Sequence, residues 1–394
     1  MRLRDYQIDG IERIRALWQA GAVRVLAVAP TGGGKNTMAV AMLHEHSKRR
    51  RQSLFMVHRV EIVSDLVRRL ADVGIRAGQI VAGHAQDPSA PVQVATIQTA
   101  RTRDMGEFDL VILDEAHHFA ADAWKEAAER IRCSRVVGLT ATPERADGRP
   151  LGDMFDTTVN VVSYSTLLDA GHIVPCKVVR PAEELERRQQ AIGAVAAYSR
   201  FALGESAFCF TNTVEEATSL SWKFGEAGIR ACVIHHKTPG AMRRAYLDAF
   251  RSGEIKVIVN VYTMTEGIDI PMASCAILTK ACDHASTYMQ MSGRVLRAHP
   301  GKTRAIILDL AGTSYKHGSP VEDRQYSLHG TAISIDSSRD SSVIGNKRCE
   351  YEVVDAELVD AGYMHLRTRE AAERIAKRRG LASSWVDAVA GARS

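Results

Sequence analysis

A run of glycines followed by a lysine offers this chain a binding loop for phosphate. The run reads Ala29-Pro30-Thr31-Gly32-Gly33-Gly34-Lys35-Asn36-Thr37. Glycines let the backbone curl so that several N–H groups point at phosphate oxygens, and the lysine adds a point charge. Apolar residues 23–28 precede the run and helix-forming residues 38–46 follow it, which is the strand–loop–helix context that such a loop needs. The alternative is a tight glycine turn without a ligand.

Position 36 departs from the usual pattern of a phosphate-binding loop. The residue after the lysine is normally Ser or Thr, whose hydroxyl binds Mg²⁺. Here it is Asn36, with Thr37 one place later, and Ala29 replaces the first glycine of the pattern. The amide oxygen of Asn36 is a weaker predicted ligand for Mg²⁺. Thr37 lies about 100° further round the helix, so it could substitute only if the turn changed register.

Two adjacent carboxylates end an apolar run in Asp109-Leu110-Val111-Ile112-Leu113-Asp114-Glu115-Ala116-His117. The run predicts a strand buried on both faces, and ligands bind at the carboxyl ends of such strands. Asp114 is predicted to hold Mg²⁺, and Glu115 to orient and deprotonate an attacking water. A simple helix cap is the alternative for this pair. His117 and His118 could suggest a zinc site, but their place at a strand end favours a hydrogen-bonding role between sites over metal ligation.

Polar residues recur at other predicted element ends. Thr140 and Thr142 follow a predicted strand at 136–139, where their hydroxyls could pass hydrogen bonds between a nucleotide and a neighbouring domain. Near the N-terminus, Leu3-Arg4-Asp5-Tyr6-Gln7 opens a predicted helix. The amide of Gln7 presents both a donor and an acceptor, as reading the edge of adenine requires. A surface glutamine is the alternative.

Two arginines stand three residues apart in Gln290-Met291-Ser292-Gly293-Arg294-Val295-Leu296-Arg297. Because 284–297 is a predicted helix, Arg294 and Arg297 should share a face. A planar, permanently charged guanidinium suits the charge that develops on a γ-phosphate during its transfer. Two surface arginines on an amphipathic helix are the alternative.

The elements around these residues alternate between strand and helix. In the second half, strands are predicted at 206–210, 231–235, 256–260, 274–279 and 303–309, with helices at 183–203, 214–227, 239–252 and 284–297. This order predicts parallel sheets covered by helices on both faces, with residues 163–181 as the connection between two such units. A chain of 394 residues is also too long for one ordinary core.

Composition limits the function classes. The net charge of +5 suits a polyanionic partner, and no apolar run is long enough to span a membrane. No signal-peptide core follows the N-terminus. The seven cysteines form no C-x-x-C pair, which favours buried free thiols in a reducing cytoplasm. Cys349 stands alone in the tail, so we predict no zinc. The basic stretch 367–379 is predicted to be a helix that contacts nucleic acid or a partner, or is merely solvated.

Taken in order, Ala-Pro-Thr-Gly-x-Gly-Lys, Asp-Glu-Ala-His, Thr-Ala-Thr-Pro and Gln-x-x-Gly-Arg-x-x-Arg resemble the motifs of superfamily 2 helicases of the DEAH-box kind. Within that superfamily, the chain resembles RadD-type helicases of bacteria and their phage relatives, with which it shares Leu-Arg-x-Tyr-Gln at residues 3–7 and Pro-Gly-Lys-Thr at residues 300–303. This resemblance implies an α/β fold of two tandem RecA-like parallel-sheet domains with a short C-terminal extension. Residues 1–162 would form the first domain, 163–318 the second, and 319–394 a partly helical extension.

The resemblance also implies roles for individual residues. Catalysis would depend on Lys35, Asp114, Glu115, Gln290, Arg294 and Arg297, and Mg²⁺ would be held by Asp114 and Asn36. The nucleotide would contact Arg4, Gln7, Thr31, Gly32, Gly33, Gly34, Lys35, Asn36, Thr37, Gly267 and Asp269. Nucleic acid would contact His58, Arg59, Thr96, Gln98, Thr211, Asn212, Thr263 and Thr265. His117, Thr140 and Thr142 would couple the two sites.

The function implied is that of an ATP- and Mg²⁺-dependent translocase or helicase in the cytoplasm of a bacterium or a phage-infected cell. Its partner would be single-stranded or branched DNA rather than RNA or a membrane, and it would act as a monomer. The alternative is an ATP-binding DNA clamp that hydrolyses weakly because of Asn36.

Overall fold

The computed structural model describes residues 2–58, 60–81, 87–119, 121–143, 151–181, 189–190, 193–261, 270–329, 333–334, 349–354 and 359–360. Five residues with predicted roles lie outside these ranges, namely Arg59, Thr263, Thr265, Gly267 and Asp269. The basic stretch 367–379 lies outside them as well. Within the described part of the chain, no helix is long and apolar enough to cross a membrane.

The first half of the chain forms a sheet with helices on both faces. Its strands are β1 (Arg24–Val28), β2 (Ser53–Val57), β3 (Ala77–Ile80), β4 (Val92–Thr96), β5 (Gly106–Phe108), β6 (Leu110–Asp114), β7 (Ile131–Cys133), β8 (Val136–Thr140) and β9 (Thr157–Asn160). The helices are α1 (Asp5–Gln19), α2 (Lys35–Lys48), α3 (Val60–Asp72), α4 (Ile97–Ala100), α5 (Ala121–Ala128) and a 3₁₀ helix at Ala116–His118. Seven strands pair in the order β3-β4-β2-β6-β8-β1-β9, all parallel. Strands β5 and β7 form a separate short pair.

The second half repeats this architecture. Its strands are β10 (Cys176–Pro181), β11 (Gln189–Gln190), β12 (Ala207–Thr211), β13 (Ala231–Ile234), β14 (Val257–Val261), β15 (Cys275–Leu278), β16 (Ala305–Asp309), β17 (Arg324–Gln325), β18 (Ile333–Ser334), β19 (Cys349–Val354) and β20 (Val359–Asp360). The helices are α6 (Tyr164–Asp169), α7 (Ala194–Phe201), α8 (Val214–Glu226), α9 (Gly240–Arg251), α10 (Ala285–Gly293) and α11 (Thr313–His317). The second sheet has the order β13-β14-β12-β15-β16-β10-β19.

Burial on both faces explains the continuous apolar strands. In β2, Phe55 and Val57 join one cluster of buried side chains, whereas Leu54 and Met56 join another on the opposite face. The same alternation places Phe208 in one core and its neighbour Cys209 in the other. Because the strands are parallel, the loops that follow them lie at one edge of each sheet, and polar residues lie in these loops. The prediction of two parallel α/β sheets is therefore confirmed.

Two sequence predictions about the second half were wrong. Residues 163–181 are not only a connection, because β10 enters the sheet between β16 and β19. The predicted helix at 183–203 is shorter, since residues 189–190 form a strand with β20 and α7 begins at Ala194. In both cases the pairing partner lies far along the chain, which local patterns do not reveal.

The segment that follows α11 contacts both halves of the molecule. Val321 is buried in the core of the second half, whereas Leu328 is buried in the core of the first. The backbone N–H of Gly152 donates to the carbonyl of Leu328 at 2.9 Å. We call residues 319–329 the strap. Further on, β19 pairs in parallel with β10, which brings the Sγ atoms of Cys176 and Cys349 to 3.3 Å. Cys349 therefore has a companion cysteine that the sequence did not indicate, and both thiols are free.

Candidate nucleotide-binding and catalytic site

The glycine run forms a loop between β1 and α2 that only glycines can form. Gly32 has φ of +94° and Gly34 has φ of +76°, in the left-handed region that other residues rarely adopt. A Cβ on Gly34 would lie 2.2 Å from Nε2 of Gln7, and one on Gly33 would lie 3.0 Å from the carbonyl oxygen of Pro30. The loop ends at the N-terminus of α2, where N–H groups and the helix dipole favour an anion. These features fit the phosphates of a nucleotide.

Gln7 is buried against this loop, with 2% of its surface exposed. Its Oε1 accepts from the backbone N–H of Arg4 at 2.9 Å, and its Nε2 donates to the carbonyls of Gly33 and Gly34 at 3.3 Å each. The side chain thus supports the phosphate-binding loop, a role that the sequence did not predict. Contact with adenine would require these bonds to be exchanged and stays a prediction.

Lys35 and Glu115 face each other at the carboxyl edge of the first sheet. Lys35 Nζ lies 3.5 Å from Glu115 Oε1, and the two side chains are only 11% and 18% exposed. Asp114, at the end of β6, accepts from the N–H of Glu115 at 3.0 Å. Glu115 itself has φ of +47°, a conformation that costs a residue with a side chain on the order of 1–3 kcal/mol and often marks functional sites. Asn36 is exposed at the first turn of α2.

His117 links this carboxylate to the second half of the chain. Its Nδ1 lies 2.9 Å from Thr140 Oγ1 and 3.6 Å from Glu115 Oε2, and its Nε2 lies 2.8 Å from Gln290 Nε2. The Thr140 hydroxyl donates to the carbonyl of Thr142 at 2.7 Å. It must therefore accept from His117 Nδ1–H, which leaves Nε2 to accept from the Gln290 amide. The contacts define a neutral imidazole with its proton on Nδ1.

Helix α10 packs directly on the phosphate-binding loop. A Cβ on Gly293 would lie 2.6 Å from Cβ of Thr31, and a Cβ on Gly32 would lie 2.8 Å from Cγ2 of Ile173. Glycine at both positions therefore permits close approach of the two halves. The glycine loop and the motif that begins at Gln290 therefore lie at one shared boundary.

The predicted helix around the two arginines ends earlier than expected. Helix α10 stops at Gly293, Arg294 is its C-cap, and Arg297 pairs with Ile173 in an antiparallel bridge. The N–H of Val174 also donates to the carbonyl of Leu296 at 2.8 Å, which draws this segment out of the helix. The prediction that Arg294 and Arg297 share a helix face was therefore wrong.

Lys302 has no site role in the sequence prediction, yet it holds the arginine segment in place. Its Nζ donates to the carbonyls of Pro271, Ala273 and Arg297 at 3.0, 2.6 and 2.9 Å. Burial lowers the pKa of this amine to about 7. No local motif marks a lysine whose partners are three backbone carbonyls.

The predicted nucleic-acid contacts that the structure describes lie at or just after the carboxyl ends of strands in both sheets. His58 follows β2 and is half-buried, while Gln98 and Asn212 are exposed. Thr96 and Thr211 are buried, and their hydroxyls are engaged within the protein: Thr96 Oγ1 caps α4, and Thr211 Oγ1 donates to the carbonyls of Thr213 and Asn260. For these two threonines the structure shows local structural roles, and contact with nucleic acid stays a prediction.

The described residues contain no group of three or more His, Cys, Asp or Glu side chains that could hold a metal ion. The expected lack of zinc stays a prediction, because part of the tail lies outside the described ranges.

Two family descriptions match this chain. "Type III restriction enzyme, res subunit" matches residues 1–145, and "Helicase conserved C-terminal domain" matches residues 190–299. Together the two matches support a superfamily 2 helicase. We therefore call the halves built on the first and second sheets helicase domains 1 and 2.

Three relatives align with most of this chain. A "51.5 kDa protein" of a Lactococcus phage is 26% identical and aligns with 74% of this chain and 66% of its own length. A candidate ATP-dependent helicase of Saccharomyces cerevisiae, IRC3, is 26% identical over 79% of this chain and 52% of its own. The DNA 3′-5′ translocase XPB2 of Sulfurisphaera tokodaii is 24% identical over 80% and 83%. The chain thus spans less than two thirds of the length of the first two relatives.

Solved structures agree on the fold. The type ISP restriction-modification enzyme LlaBIII bound to DNA has a TM-score of 0.58 at 17% identity, covering 78% of this chain and 28% of that one. Dbp5 of S. cerevisiae, bound to RNA and ADP-BeF₃, has a TM-score of 0.58 at 18% identity, covering 80% and 92%. The RecA-like fold class is confirmed. The matches include the restriction-enzyme and XPB types, and none of the proteins named here favours the weakly hydrolysing clamp.

Proposed function

We propose that the protein is an ATP-dependent translocase or helicase that acts on DNA and hydrolyses ATP between its two helicase domains. One observation carries this proposal: His117 bonds to Gln290 of domain 2 while lying 3.6 Å from Glu115, the predicted catalytic carboxylate. A group that spans the boundary in this way makes the position of Glu115 depend on how the domains meet.

The nucleotide fits the loop between β1 and α2. Lys35 would neutralise phosphate oxygens, and Asp114 with Asn36 would hold Mg²⁺. When bound, Mg²⁺-ATP supplies the phosphoryl bond that is hydrolysed and the cation that neutralises its charge. Glu115 would exchange its ion pair with Lys35 for a water that it orients and deprotonates.

Domain 2 would complete the site. Gln290 reaches His117, and Arg297 pairs with Ile173, whose side chain lies against Gly32 of the loop. Permanently charged guanidinium groups there would stabilise charge on the γ-phosphate, an effect on the order of 10³–10⁵ in rate. Hydrolysis would thus require domain closure. Each cycle of closure and opening would change the distance between the contacts that the two domains make with a nucleic-acid strand.

Nucleic acid would cross the carboxyl ends of both sheets, near His58 and Gln98 in domain 1 and Asn212 in domain 2. Contacts led by the phosphate backbone imply little sequence preference and strong dependence on salt. DNA rather than RNA is supported by the names of XPB2 and of the LlaBIII complex.

Several finer assignments belong to this proposal. The Asp-Glu-Ala-His sequence supports the DEAH-box subclass, and the motif set supports likeness to RadD-type enzymes. We further propose domain limits at 162 and 318, contacts from Thr263, Thr265, Gly267, Asp269 and Arg59, action as a monomer, and a cytoplasmic setting.

Steady-state ATP hydrolysis with Mg²⁺, with and without single-stranded DNA, tests the function. We expect DNA to stimulate turnover and Glu115→Gln to abolish it while ATP still binds. Glu226→Gln is the matched control, because Glu226 is an exposed carboxylate at the end of α8. If the protein binds nucleotide and DNA but does not hydrolyse ATP, the result would instead support the clamp. If it neither binds them nor hydrolyses ATP, the proposal is rejected.

A further inference from the structure

Three histidine rings stack in a row from the end of β2 to the boundary between the domains. The ring centroids of His58 and His118 lie 4.6 Å apart at an interplanar angle of 31°. Those of His118 and His117 lie 4.0 Å apart at 41°. His118 is therefore in ring contact on both sides, an arrangement that its sequence position did not predict.

Each end of the stack meets a site of the proposed function. At one end, Gln98 Nε2 donates to the carbonyl of His58 at 3.4 Å, which joins two predicted nucleic-acid contacts. At the other end, His117 bonds to Thr140 and Gln290. His118 itself is exposed, but its N–H donates to the carbonyl of Glu115 at 2.9 Å. The backbone of the middle residue is thus bonded to the backbone of the residue that carries the predicted catalytic carboxylate.

The stack provides a short mechanical route between two ligands. Packed aromatic rings cannot interpenetrate, so a shift of His58 displaces the His118 ring. Because His118 lies in the same 3₁₀ turn as His117 and bonds to Glu115, that displacement alters the geometry of both.

We propose that His118 is a positioning residue that couples nucleic acid bound near His58 to the nucleotide site. This inference rests on the proposed function and deepens it. The coupling depends on the ring as a packed body, so another flat ring of similar width should transmit it, whereas a methyl group should not.

Linked binding tests the coupling without hydrolysis. The affinity for a fluorescent oligothymidylate is measured by anisotropy, with and without a non-hydrolysable ATP analogue and Mg²⁺. Coupling between sites is reciprocal and is usually about 5- to 150-fold. We expect a ratio in this range for the natural protein and for His118→Phe, and a ratio near one for His118→Ala. His44→Ala is the control, because His44 lies on α2 outside the stack.

The outcomes separate the two proposals. If His118→Ala keeps the natural ratio, or if His118→Phe loses it as fully as His118→Ala does, the stack does not couple the sites and the inference is rejected. If the binding ratios follow the expected order but DNA fails to stimulate hydrolysis, the motor function fails and the role of His118 stands. A natural protein that binds no DNA would reject both.

Discussion

At the scale of single residues, Gly293 decides how closely domain 2 can approach the phosphate-binding loop. An added Cβ would lie 2.6 Å from Thr31 Cβ, within a packed boundary where neither helix nor loop can yield cheaply. Gly293→Ala should therefore displace Gln290 and the arginines from the site. Misplacement by about 1 Å can cost about 100-fold, so we expect DNA-stimulated turnover to fall by about 10- to 100-fold with unchanged circular dichroism.

Gly225→Ala is the matched control for that change. Gly225 lies in α8, where a Cβ would meet no atom within 4 Å, so alanine should keep activity and stabilise the helix by up to about 1 kcal/mol. If Gly293→Ala were as active as Gly225→Ala, the domain boundary would not be the catalytic site.

A second prediction at the scale of single residues concerns Asn36. It is exposed at the first turn of α2, where a hydroxyl would be a better Mg²⁺ ligand than an amide. Asn36→Thr should raise turnover and lower the Mg²⁺ concentration that gives half the maximal rate. A titration of hydrolysis against Mg²⁺ checks this. Unchanged curves, together with loss of activity in Thr37→Val, would mean that Thr37 already supplies the ligand.

At the scale of elements, α2 carries a buried histidine that makes domain 1 sensitive to acid. Burial, and then the charge of Arg51, lower the pKa of His46 below its usual value. The folded state thus binds a proton less readily than the unfolded chain, so stability rises with pH up to about 6.5 and falls on acidification below it. We expect His46→Gln to lose less of its unfolding free energy between pH 7 and pH 5 than the natural protein does. Urea unfolding at both pH values checks this, and equal losses would contradict it.

Elements differed in how well the sequence predicted them. Strands such as β6 and β8 were predicted within a residue or two, because burial on both faces demands uninterrupted apolar runs. The end of α10 was predicted wrongly, because Arg297 lies outside the helix and pairs with Ile173, which is more than a hundred residues earlier in the chain. The motif residues could be located because their types and spacing are local features of the sequence. The contacts by which Gln7, His118 and Lys302 support them could not be predicted. Their partners are backbone groups or rings brought close only by the fold.

At the scale of the whole molecule, the strap limits how far the two domains can separate. It leaves domain 2 after α11, where the Ser165 N–H donates to Asp323 and Arg324 donates to the carbonyl of His317. It ends with Leu328 in the core of domain 1, in the same cluster as Met154 and Phe155. Tyr326 packs against the same core. A short segment anchored at both ends keeps the domains within reach of each other, which shortens the search for the closed state.

Leu328→Ala should release the domain 1 end of the strap. Removing a buried leucine side chain costs about 2–5 kcal/mol, enough to populate the detached segment. The bond after Arg324, whose side chain is only 7% exposed, should then become accessible to trypsin. We expect cleavage there at least about tenfold faster than in the natural protein, with a higher ATP concentration needed for half-maximal hydrolysis. Leu203→Ala, at a leucine that is 69% exposed, should change neither. Trypsin resistance equal to that of the natural protein would show that the strap is held mainly by domain 2.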